Sequence, residues 1–171
     1  MKRWMVLIVV ILLAIMVVSC SGTDGNADNS NQLIEPGEKI GNFIITTGEQ
    51  GKFKYGFSVE CSEPGKDNSY TCNAVVGDVI NVSTGIYDTT GKGNLDDIWT
   101  HSNYQMYIDD RPVDLQAFGT IEYTHPQVGV IRFANVVIMT DKAGQITVKD
   151  SGVYDNGDPF QSTSIYVYTA P

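Results

Sequence analysis

Basic side chains are scarce in this sequence: eleven Lys and Arg stand against twenty Asp and Glu, a formal net charge of −9. Phosphate binding needs a basic surface, so the balance argues against a nucleic-acid partner and against adhesion of a folded domain to anionic headgroups. Histidine is scarcer still, with only His101 and His125, and they form no His-x-x-x-His pair. A zinc site made of both and an aspartate ranks behind two surface or turn histidines. Gly-x-Ser-x-Gly elbows and glycine-rich phosphate loops are absent. Ser102 adjoins His101, but neighbours on an extended chain point to opposite faces, so no catalytic triad forms there. With twenty acids, some carboxylate pair always suits a glycosidase, and Glu60, Glu63 and Glu122 therefore carry no information. No catalytic residue and no cofactor is assigned.

Long apolar runs are missing except at the start. Lys2 and Arg3 precede fifteen uncharged apolar residues, Trp4 to Val18, which is short for a permanent span of about 20 residues. Positive charge followed by such a run is the plan of a secretory signal. Val17-Val18-Ser19-Cys20 then places an aliphatic residue, a variable one, a small one and a cysteine in order. This resembles the lipobox of bacterial lipoproteins. The resemblance implies cleavage of residues 1–19, a diacylglyceryl thioether on Cys20, and an anchor on the extracytoplasmic face of the cytoplasmic or the outer membrane. An uncleaved amino-terminal helix is the alternative.

Without Lys2 and Arg3, nine basic and twenty acidic side chains remain, a net charge near −11. Residues 20–32 hold the lipidated cysteine and a Gly, Asn, Asp and Ser spacer too polar to fold. Residues 33–171 are long enough for one domain with a core. Cysteine is sparse, and beyond Cys20 only Cys61 and Cys72 remain. In an oxidising compartment, flanking a polar turn rich in breakers, they are expected to form a disulfide. Free thiols or a metal site are the alternatives.

Past the spacer, Val, Ile, Thr, Tyr and Phe dominate the apolar positions, and turn residues recur every eight to fifteen places. Strands are predicted over 42–47, 53–61, 70–76, 79–87, 104–108, 113–115, 119–123, 128–140, 144–154 and 163–169, with almost no helix. Phe53, Tyr55, Phe57 and Val59 alternate with polar neighbours, as do Tyr104, Met106 and Ile108. Ile165, Val167 and Thr169 oppose Ser164, Tyr166 and Tyr168. Val136 to Met139 is apolar on both faces and is expected centrally. Asp109 to Pro112 and Asp141 to Gly144 read as hairpin turns, and Tyr154 to Asp158 as a tight turn. The fold class is therefore all-β, an antiparallel two-sheet sandwich, with a small β-barrel as the alternative.

Pro36 to Gly41, Ile108 to Leu115, Arg132-Phe133 and Gly144 to Val148 resemble surface lipoproteins carrying one immunoglobulin-like domain. That resemblance implies fold and location and brings no catalytic residues.

The acidic stretch Asp88 to Asp97 lacks EF-hand spacing and reads first as a solvated loop, with Asp88, Asp96 and Asp97 as calcium candidates. Trp99, Tyr107, Tyr166 and Tyr168 are the candidates for an outward aromatic platform that stacks on sugar rings or anchors a protein. Core packing is the competing reading, and the favoured one for Trp99. The expected function is a binding or structural role at the cell envelope, through protein or glycan contact. An accessory subunit of a membrane complex is the alternative, and a hydrolase or metal-dependent enzyme ranks last.

Overall fold

The computed structural model describes residues 32–65, 67–89 and 93–171. Cys20 and the expected signal segment, with most of the expected spacer, lie outside the described residues. The strands are β1 (Glu38–Ile40), β2 (Phe43–Thr46), β3 (Lys54–Tyr55), β4 (Glu60–Cys61), β5 (Ser69–Val75), β6 (Val79–Asn81) and β7 (Ile86–Tyr87). After helix α1 (Leu95–His101) come β8 (Gln105–Ile108) and β9 (Arg111–Pro112). Helix α2 (Leu115–Phe118) precedes β10 (Thr120–His125), β11 (Gly129–Ala134), β12 (Val137–Thr140), β13 (Gly144–Val153) and β14 (Pro159–Thr169). No helix of the described residues is long and apolar enough to cross a membrane.

Three sheets result, ordered β1-β2-β12-β6-β3, β10-β11-β7 and β4-β5-β14-β13-β8-β9. None closes on itself, so the barrel alternative is set aside. The chain is mostly β, but not purely antiparallel: β14 pairs parallel with β5 over Ser69–Val75, and β3 pairs parallel with β6. The five- and six-stranded sheets supply one core. Phe43, Ile45, Ile80 and Ile138 from the first meet Met106, Ile108, Ile146, Val148 and Tyr168 from the second. The rings of Phe43 and Tyr168 lie 5.5 Å apart edge to face, and the Tyr168 hydroxyl donates to the Ile138 carbonyl at 3.4 Å.

Period-two patterning selects the inward face of most strands. Tyr104, Met106 and Ile108 are buried and Tyr107 is exposed. β12 lies at the centre of its sheet, with Val137 and Ile138 both fully buried. Strand β14 chooses the face opposite to an outward tyrosine platform. Tyr166 and Tyr168 are 3% and 1% exposed, and Ile165 and Val167 take the outer face, half-buried. Both faces of this strand are apolar enough to bury, and the larger rings fill the gap between the sheets.

Several boundaries also differ. The predicted strand 128–140 is two strands in different sheets, broken at Asn135 and Val136, and 79–87 is broken likewise. The stretch 53–61 is interrupted by a short 3-10 turn, Gly56–Ser58. Residues 113–115 are not a strand, because Asp114 caps α2 by accepting from the backbone N–H groups of Gln116 and Ala117. Trp99 belongs to α1, whose start is capped by Asn94 accepting from the Asp96 N–H. Asp109 and Asp110 both have positive φ, 46° and 64°, so they form a two-residue primed turn between β8 and β9. Asp141 to Gly144, by contrast, carries the chain from β12 in one sheet to β13 in the other, and is not a hairpin. The tight turn at Tyr154 to Asp158 joins β13 to β14, with the Tyr154 N–H donating to the Asp158 carbonyl at 2.9 Å.

Cys61 and Cys72 sit directly opposite each other on β4 and β5 and form a disulfide, with the S–S bond at 2.07 Å. The polar turn between them reverses the chain and brings the sulfurs together.

Candidate ligand-binding cleft

A cleft of about 540 Å³ opens beside the shared core. One wall is β14 and β5, presenting Tyr70, Phe160 and Tyr166. The other is the segment 82–85 after β6, the turn at Gly56, and Phe133 of β11. Gly56 lets this wall close: a Cβ there would stand 2.8 Å from the Tyr166 hydroxyl and 3.3 Å from the Asn81 carbonyl oxygen. The next residue, Phe57, is 57% exposed at the cleft's edge. Its ring stacks on Tyr55 with centroids 5.3 Å apart and planes 10° apart, and Tyr123 and Phe133 complete the cluster. Burial pushes the Tyr55 phenol pKa up, with Tyr123 adding to the effect. Tyr154 and Phe160, 4.8 Å apart, continue the ring surface from the β13–β14 turn.

Asp150 lies in the lining of this cleft and is only 3% exposed. Strand parity puts it there: Ile146, Val148 and Asp150 share the inward face of β13. Its carboxyl accepts hydrogen bonds from the Tyr104 hydroxyl and from Thr84 Oγ1, the latter at 3.1 Å. The Thr84 N–H in turn donates to the Tyr104 oxygen at 2.9 Å. Burial raises the Asp150 pKa to about 7, and the bonds from Tyr104 and Thr84 oppose that rise. Burial, then the nearby Asp150 charge, holds the Tyr104 and Tyr166 phenols well above their ordinary value, so both stay neutral. Asn68, Gln161, Ser162 and Ser164 add neutral amides and hydroxyls to the lining, and none of the described lining residues is Lys, Arg or His.

The four aromatic candidates do not make one platform. Tyr166 and Tyr168 point into the core, and of these only Tyr166 reaches the cleft. Tyr107 stands on the outer face of β8, 36% exposed. Trp99 is half-buried on α1, its ring 5.4 Å from Tyr104. The exposed ring surface is instead that of Phe57 and its neighbours.

The acidic candidates also part company. Asp88 accepts from the Gly93 N–H at 2.7 Å. Asp96 pairs with Arg132 at 2.6 Å, and Asp97 with His101 at 3.2 Å. Among the described residues no group of three or more His, Cys, Asp or Glu side chains is placed to hold a metal ion. The Ser102 hydroxyl donates to the Trp99 carbonyl at 2.7 Å, while His101 turns to Asp97. His125 accepts from the Gln127 N–H. Among the described residues, neither ring is hydrogen-bonded to a serine, threonine or cysteine side chain.

Asp150 belongs to no motif. Its sequence signal is an acid at an inward position of an alternating strand, two places beyond Val148. No protein-family model matches this chain, nor does any characterised protein or solved structure.

Proposed function

We propose that this chain is a lipid-anchored, extracytoplasmic binding module, an immunoglobulin-like sandwich tethered through Cys20, whose cleft contacts a glycan. The cleft's composition carries this reading: aromatic rings and neutral amides and hydroxyls share one concave surface. A sugar has an apolar face and a hydroxyl edge, and that surface offers a partner to each. The core shared by the five- and six-stranded sheets supports the sandwich. The lipobox supports the tether.

Tyr154→Ala tests the cleft, because this half-buried ring stands over Phe160 without belonging to the fully buried core. Loss of one stacking ring should weaken glycan binding about tenfold, with little change in melting temperature. A glycan array showing no ligand above background, or unchanged binding by the variant, refutes the reading. The tether has its own test. A palmitate analogue fed to growing cells should label the wild-type chain and not Cys20→Ala, and an unlabelled wild-type chain rules the anchor out.

A further inference from the structure

We propose that the cleft selects a glycan bearing a free primary ammonium, which Asp150 meets at the cleft floor. The inference rests on the reading of the cleft as a glycan seat and names the chemistry that seat prefers.

Asp150 is the one acidic side chain among the described residues that line the cleft. It takes part in none of the ion pairs found among the described residues. Glu49 pairs with Lys52, Asp96 with Arg132 and Asp97 with His101. Asp150 instead accepts from the neutral hydroxyls of Tyr104 and Thr84. A buried carboxylate without a counter-ion is costly. Asparagine would accept from Tyr104 and donate to Thr84 with no charge to bury, so the two hydrogen bonds alone do not call for an acid. What the acid adds is a group that becomes negatively charged at a ring-walled cavity when a cation arrives and the proton leaves.

An ammonium group suits that charge and those walls together. It donates to the carboxylate, and the aromatic rings that share the lining with Asp150 attract a cation through their quadrupoles. An anionic sugar finds no basic partner among the described lining residues. Among the described residues, the titratable groups facing Asp150 are Tyr104, ahead of β8, and Tyr166 on β14, both neutral, and the 82–85 segment brings none. Asp150 alone therefore changes charge near neutrality, and a bound ammonium favours its ionised form.

The test is calorimetric titration of the full-length chain in detergent micelles at about pH 6. The probes are matched trimers of glucosamine, N-acetylglucosamine and glucose. The glucosamine trimer should bind at least about tenfold more tightly than the other two, and Asp150→Asn should remove the preference. Equal affinities overturn the proposal while leaving a glycan seat, provided Tyr154→Ala still weakens binding. A preference that survives in Asp150→Asn reports attraction to the acidic surface, and also overturns it. If no trimer binds, both readings fall. Wild-type protein supplies a measurement that needs no variant: repeated in buffers of different ionisation enthalpy, glucosamine binding should release a proton, and binding without release refutes the role of Asp150.

Discussion

Raising the pH from about 4 to about 8 should cost the folded protein on the order of 4 kcal/mol through Asp150 alone, and Asp150→Asn should abolish that loss. The carboxyl moves from an ordinary value of 3.8 to about 7 on folding, chiefly because burial penalises the charge. Below pH 4 both states hold the proton and the contribution is complete. Between 4 and 7 the unfolded chain ionises while the native acid does not, so stability falls as pH rises. Above 7 both are ionised and the loss levels off. Asp78 works in the opposite sense: its hydrogen bond from Lys54 lowers its pKa from 3.8, so its contribution is lost only as pH falls further. The two windows do not overlap. Urea midpoints for wild type and Asp150→Asn across this range measure the difference, and parallel curves would show that Asp150 does not titrate as its burial requires.

Ile138→Ala should cost about 4 kcal/mol, within the range for emptying a large aliphatic side chain from a packed core. Ile138 is fully buried on β12, the central strand of the five-stranded sheet. Its carbonyl accepts from Tyr168 of the facing sheet, so this position joins both layers. Few rearrangements can refill the space, because β2 and β6 hold β12 in register on both sides. Ile165→Ala, on the half-buried outer face of β14, is the comparison and should cost much less. Equal losses at the two positions, measured by denaturant unfolding, would refute a core shared between the sheets.

Local pattern made a good part of this fold legible. Alternation placed Tyr104, Met106 and Ile108 inward, and two aspartates before Arg111-Pro112 marked the β8–β9 turn. Cys61 and Cys72 flanked a reversal that brings them opposite each other. Pattern failed where both faces of a strand are apolar: Ile165 and Val167 compete with Tyr166 and Tyr168, and only the facing sheet decides. It failed again at α1, seven residues long and held by the Asn94 cap and by packing, too short for a helical period to stand out. The parallel β5–β14 pair joins segments about ninety positions apart, which no local signal encodes. The site is harder still. Tyr104 and Thr84 reach Asp150 from 46 and 66 positions away, so their meeting is a property of the assembled sheets.

Strand β14 has β5 on one side and β13 on the other, and it is the final strand of the described chain. Until residues 159–169 have arrived, the six-stranded sheet is split, with two separate edges waiting. A chain that emerges amino end first, from a ribosome or a translocation channel, therefore cannot complete this layer early. The closing of this sheet is governed by contacts distant in sequence, and it waits until the last strand is through.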